Sequence, residues 1–193
     1  MKKLLITGFE AFGGETINPS WSVVESLPCE IGEFTLYKQC LPVVFSEASS
    51  LVIKYAEQIR PNVIICVGQA GGRKSITPEF VAINLRHASI PDNCGNMPQD
   101  LPIIENSDAA HFTTLKIREI CQAMRSIGIP AEVSYSAGTY VCNDVMYTLL
   151  DYFKNSDVKV GFIHIPYCEE QNKEPSLKLC DVAKALCAAI KVL

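Results

Sequence analysis

The sequence predicts one α/β domain in three layers, an α/β/α sandwich with helices on both faces of a mixed, largely parallel sheet. Three observations predict it. Apolar runs of strand length alternate with amphipathic runs of helix length along the chain. Several of the strand-length runs are almost wholly apolar, as strands covered on both faces are. A chain of 193 residues suffices for one well-buried core and is short for two, so a single domain over 1–193 is expected.

The elements follow in order. Lys2-Lys3 and the apolar Leu4-Leu5-Ile6 resemble the start of a secretion signal, but the run stops at Thr7-Gly8 and meets Glu10, so Lys3–Thr7 is read as the first strand. Asn18 caps a helix with Pro19 at its first position, and this helix stops before Pro28. Thr35–Leu41 is a second strand, and a helix opening near Ser46 ends before Pro61. Strands follow at Val63–Val67 and Phe80–Leu85. The Asp, Asn, Gly and Pro residues of Pro91–Pro102 make a loop, expected on the substrate side of the sheet as a wall or lid. A helix from Ser107 places Ile117, Ile120, Cys121, Met124 and Ile127 on one face and stops at Gly128 and Pro130. Ala131–Tyr135 is a strand, a helix starts around Thr139, Val158–Ile165 is the last strand, and the last helix runs from Ser176.

Composition narrows the function. Apolar residues at 48% and charged residues at 20% describe a folded rather than a disordered chain. A net charge of −4 supplies no basic face for nucleic acid. No apolar run approaches the roughly 18 residues of a membrane span. The nine cysteines include no CxxC pair, which argues against a disulfide scaffold or a zinc site and for a soluble protein of a reducing, cytoplasmic compartment. Two glycine-rich loops follow strands. GFEAFGG has the Gly-x4-Gly spacing of a phosphate loop, but Gly14 stands where the lysine is needed, and GxGxxG is absent. GQAGGR, Gly68 to Arg73, is the other. Both are read as turns at strand ends that wall a substrate pocket.

Nine cysteines and three histidines make 27 pairings, so context must select a thiol and its base. In Ser136 to Tyr147, SAGTYVCNDVMY, a strand ends, Ser-Ala-Gly turns, and Thr139 is placed to cap the next helix. Cys142 then falls in the first helical turn, where the positive end of the helix favours a thiolate and free N–H groups offer an oxyanion hole. In GFIHIPYCEEQ, His164 stands at the tip of an apolar strand, and Pro166 breaks the ladder after it. Against this, His87 ends a strand beside Arg86 in an exposed setting, and His111 lies in the first turns of a helix. Glu79 follows Pro78 at a strand start, and nothing in its spacing distinguishes it from the other acidic residues.

Taken together, GFEAFGG with Asn18-Pro19-Ser20, GQAGGR, ITPEFVAIN leading to IPDN, SAGTYVCNDVMY and GFIHIPY resemble the pyroglutamyl peptidase I (pyrrolidone-carboxylate peptidase) family over essentially the whole chain. The resemblance implies a cysteine exopeptidase that removes N-terminal pyroglutamate from peptides without metal or organic cofactor. It implies a triad of Glu79, Cys142 and His164, a ring pocket walled by Phe9 and Phe12 with Gln69 on the lactam, and assembly as a homotetramer or homodimer. One departure stands out. Many bacterial members carry an arginine, viewed as an oxyanion contributor, where this chain has Ser89. In its place the Cys142 N–H must do more, or Arg86 must reach in. A nucleoside phosphorylase-like enzyme would share the architecture but needs a cationic phosphate site, for which only Arg73 is at hand. A binding module that holds pyroglutamyl termini uncut is the other rival.

Overall fold

The computed structural model describes all residues 1–193. Along the chain lie β1 (Lys2–Phe9), α1 (Pro19–Ser26), β2 (Glu30–Ile31), β3 (Phe34–Leu41), α2 (Glu47–Ile59), β4 (Val63–Gln69), β5 (Thr77–Pro78), β6 (Val81–Ile83), β7 (Ala110–Phe112), α3 (Ile117–Ser126), α4 (Val141–Tyr152), β8 (Lys159–Ile165), β9 (Tyr167–Cys168), β10 (Ser176–Leu177) and α5 (Leu179–Ile190). The main sheet has the order β2-β3-β1-β4-β8-β5. Strands β3, β1, β4 and β8 run parallel, and the short edge strands β2 and β5 are antiparallel to their neighbours. The sheet is thus mixed and largely parallel, as the sequence predicts.

Strand alternation sorts the core into two clusters. Leu4, Ile6, Ile65, Val67, Ile163 and Ile165 pack with residues of α1, α3 and α5. On the opposite face Leu5, Phe9, Ile64, Cys66, Val160 and Phe162 pack with α2 and α4. This is the three-layer sandwich. It also assigns His164: two residues beyond Phe162 on β8, it faces the layer that holds α4 and its Cys142.

Several expected elements are corrected. Ala110–Phe112 pair with β6 and the Thr113 and Thr114 hydroxyls bond the backbone of Val160, so helix α3 begins only at Ile117. His111 accordingly lies on β7 rather than in a helix. Ile127 falls past the end of α3 and is exposed at 49%, whereas Ile117, Ile120, Cys121 and Met124 are buried as expected. Phe80–Leu85 reduces to β6, which pairs with β7 in a separate ribbon. Ala131–Tyr135 makes only single bridges, to Ile76 and Glu79. Pro78 lacks an N–H at the centre of that contact and prevents a regular ladder. Ser176 and Leu177 pair with β9, which delays α5 to Leu179.

Candidate active site

The site forms where β1, β4 and β8 end, the position at which open α/β sheets bind ligands. A cavity of about 460 Å³ is lined there by Phe9 and Phe12, Val43, Gln69, Tyr140, Cys142 and His164, with Arg73 and the Ser136–Gly138 turn at its side. All three expected pocket residues, Phe9, Phe12 and Gln69, therefore meet Cys142 and His164 on one surface.

Each side chain is placed by its element. β4 and β8 are in register with Gly68 opposite His164. A Cβ on Gly68 would lie 2.8 Å from the Phe162 ring and 3.0 Å from Cys142 Sγ, so the missing side chain is what lets the sulfur settle beside the strand that flanks His164. Helix α4 brings Cys142 to this point, and the next two residues clamp the helix start. Asn143, fully buried, accepts from the Ile83 N–H at 3.0 Å and donates to the carbonyls of Ile83 and Leu85. Asp144, also fully buried, accepts from the Ser46 N–H at 3.0 Å and pairs with Arg86. The helix has Tyr140 at its N-cap with no side-chain cap, because the Thr139 hydroxyl donates to the His87 carbonyl instead. Asp144 is the first residue of the helix whose N–H returns to a helical carbonyl, that of Tyr140. The preceding amides stay available to an oxyanion.

The third residue arrives from β5. Thr77 and Pro78 pair with His164 and Ile163, which carries Glu79 past the sheet edge into the interior. His164 Nδ1 lies 2.7 Å from Glu79 Oε1, with both residues buried. Burial alone would raise the Glu79 carboxyl, but the bond to His164, the imidazole charge, Ser134 and Arg73 together hold it below the ordinary carboxylate value. An ionised acceptor requires Nδ1 to carry the proton. Burial lowers the His164 imidazole, the Glu79 bond and charge oppose this, and Arg73 adds to the lowering. The ring is therefore neutral at rest, with Nε2 as a lone-pair acceptor that has no protein partner.

The resting state of the sulfur differs from expectation. Burial pushes the Cys142 thiol up to about 12, and Glu79 and Cys66 push the same way, against Arg73 and the residue's own backbone N–H. No hydrogen bond joins Cys142 to His164. The sequence points to a resting thiolate at the helix start; burial and the nearby Glu79 carboxylate pull the other way, toward the thiol.

Two expectations about arginine and loops are also corrected. Arg86 does not reach the cavity, being held by Asp144 and by Ser46 Oγ at 2.9 Å. Ser89 is exposed and off the cavity wall. The cation at the site is Arg73, bound to Glu79 Oε1 at 2.6 Å, to the Ser136 carbonyl at 3.1 Å and to Thr77. Only its charge beside a glycine-rich turn signalled it in sequence. With these bonds Arg73 is not a vacant phosphate site. The loop 91–102 lines no part of the cavity and braces it from outside: Tyr140 donates to the Pro91 carbonyl at 3.0 Å, and Asn93 bonds to Glu10 and the Ala11 carbonyl at the base of the Phe12 loop. Asn18, read only as a helix cap, also lines the cavity while its side chain binds Ser20 and the Glu10 carbonyl.

Both members of the buried pair release protons more readily in the folded chain than in the unfolded one. Stability from ionised Glu79 is present above its unfolded pKa and is lost as pH falls through its lowered folded value. His164, also lowered, adds a loss once pH falls below its unfolded value of about 6.5. The thermal midpoint is thus expected to drop on going from about pH 7 to about pH 4. Calorimetry across that range checks it, and a flat midpoint would contradict the assignment of charge states.

A thiol at a helix start, a neutral imidazole and a buried carboxylate behind it, gathered on one cavity, form the constellation of the thiol-dependent hydrolases. The chain belongs to the pyroglutamyl peptidase family, whose sequence model matches residues 2–193. It is 44% identical over 199 aligned positions to a pyrrolidone-carboxylate peptidase of Bacillus cereus, covering 100% of this chain and 93% of that one. The crystal structure of pyroglutamyl peptidase I from Bacillus amyloliquefaciens superposes with a TM-score of 0.95 at 45% identity, covering 99% of this chain and 96% of that one. Pyrrolidone carboxyl peptidase from Thermococcus litoralis gives a TM-score of 0.95 at 41% identity, covering 100% of this chain and 93% of that one. No helix here is long and apolar enough to cross a membrane.

Proposed function

We propose that this chain hydrolyses the bond after an N-terminal pyroglutamyl residue of peptides, with Cys142 as nucleophile, His164 as base and acid, and Glu79 orienting the imidazole. The observation that carries the reading is the Nδ1 bond to Glu79, which turns Nε2 into a base on the cavity that Cys142 also lines. As sulfur attacks the pyroglutamyl carbonyl, its proton passes to His164 Nε2, and the resulting imidazolium is stabilised by ionised Glu79. Free N–H groups at the start of α4 receive the oxyanion. Collapse expels the peptide amine with the proton from His164, leaving a thioester that water opens by the same route in reverse order.

Pocket chemistry supports the substrate. Pyroglutamate is an uncharged lactam with one N–H and one carbonyl, so its pocket needs apolar walls and few polar contacts. Phe9, Phe12, Val43 and Tyr140 are such walls. Gln69 Oε1 accepts from Gln171 at 2.9 Å, which leaves the Gln69 Nε2 donor for a lactam carbonyl in the cavity that Gln69 lines. No carboxylate lines the cavity to receive an ordinary ammonium N-terminus. Cytoplasmic residence and assembly as a homodimer or homotetramer belong to the same reading; the nine free cysteines support the first, and light scattering would report the second. No step in this chemistry calls for a metal or organic cofactor.

The test is release of a fluorophore from a pyroglutamyl amide by purified protein under reducing conditions, with glutamyl and prolyl amides alongside. Cleavage of the pyroglutamyl amide alone is expected; no release, or equal release from all three, would sink the reading. Glu79→Gln is expected to lower kcat about tenfold to a hundredfold, because an amide oxygen still accepts from Nδ1 but no longer stabilises the imidazolium. Steady-state kinetics on the same amide measures this.

A further inference from the structure

Glu79 is held by one oxygen, since the nearby Ser134 hydroxyl is directed to the Ser136 carbonyl at 3.2 Å. Oε1 receives both His164 Nδ1 and the Arg73 guanidinium, while Oε2 is buried with no partner. A carboxylate anchored through a single oxygen is free to rotate about its last torsion, and a rotation would take the acceptor off the imidazole. Arg73 prevents this from a third direction. It also spans two parts of the site: one nitrogen holds Glu79, and the other holds the Ser136 carbonyl in the turn that feeds helix α4 and Cys142. The planar fork of an arginine suits that double task, and an ammonium does not.

We propose that Arg73 is a positioning residue for the reaction, a link that fixes Glu79 on His164 and ties this pair to the turn leading into the Cys142 helix. The inference rests on the reading of function given above. Its electrostatic side follows from the groups around it. Glu79 at the end of β5, His164 on β8, Cys142 on α4 and, behind Cys142, Cys66 on β4 are the titratable groups facing it from the site, and Glu132 shares the groove on its outer side. Arg73 disfavours the imidazolium and favours the carboxylate and the thiolate. Removing its charge therefore raises the pKa of His164 and moves the acid limb of kcat/KM to higher pH.

The experiment compares Arg73→Gln and Arg73→Lys with the unsubstituted chain on a pyroglutamyl amide, as kcat, KM and the pH profile of kcat/KM. For Arg73→Gln, kcat is expected to fall about tenfold to a hundredfold with KM within about threefold, and the acid limb to move to higher pH. Arg73→Lys keeps the charge but not the fork, so its acid limb should stay in place while kcat falls part of the way. An unchanged kcat and acid limb in Arg73→Gln would overturn the proposal, as would an identical limb shift in both variants. Should Arg73→Gln not fold, Arg73→Lys decides alone: a kcat equal to that of the unsubstituted chain rejects the link. If the unsubstituted chain releases no amine, the functional reading fails instead, and NMR titration of His164 in both variants still tests the link.

Discussion

Replacing Cys142 by Ala, or His164 by Ala, is expected to lower turnover of a pyroglutamyl amide at least about a thousandfold and to leave the fold intact. Neither side chain holds the architecture together. Cys142 is half-buried against the cavity, and its helix is clamped by Asn143 and Asp144 rather than by the sulfur. His164 contributes its backbone to the β4 pairing whatever its side chain. Loss of either removes one end of the proton transfer, and burial, which raises the Cys142 thiol, disfavours a thiolate once the base is gone. Kinetics alongside circular dichroism checks both halves of the expectation. Near-normal turnover in either variant would reject the roles assigned to the pair.

The largest effect on stability is expected from Gly8→Ala. A Cβ at residue 8 would lie 2.6 Å from the carbonyl carbon and oxygen of Ser20 and from Cα of Trp21. These are backbone atoms of α1, which has no rotamer to yield, so the helix must move off β1. Overpacking of this kind costs about 3 kcal/mol, equivalent to a fall in melting temperature of about 6–12 °C for a chain of this size. The damage would spread to the site, because Ser20 Oγ accepts the Phe9 N–H at 2.9 Å and binds Asn18, and both Phe9 and Asn18 line the cavity. Thermal unfolding of the variant measures the cost; a melting temperature within about a degree of the parent would show that α1 shifts freely.

The parallel strands were legible because β1, β4 and β8 are buried on both faces and read as apolar runs, and α1 and α2 carry clear stop signals in Pro28 and Pro61. What stayed hidden depends on contacts between distant segments. Nothing near Thr113 announces that its hydroxyl and that of Thr114 would take the Val160 backbone, or that residues 110–112 would pair with β6 instead of joining a helix. At the site, Cys142 and His164 were legible as a thiol opening a helix and a histidine closing a strand. Glu79 was not, since its value lies in meeting a residue 85 positions away at the sheet edge. Arg73 was hidden for the same reason, and it looked like an anion binder until Glu79 filled that role from inside the protein. The rise of the Cys142 thiol depends on its burial and on Glu79 nearby, which local sequence does not report.

Cys142 is half-buried and faces the cavity, where a second protein molecule has little room to reach the sulfur. Cys29, Cys94 and Cys180 lie out on the surface. Disulfides between stored molecules are therefore expected at these surface thiols rather than at Cys142, and non-reducing electrophoresis of aged protein would show it.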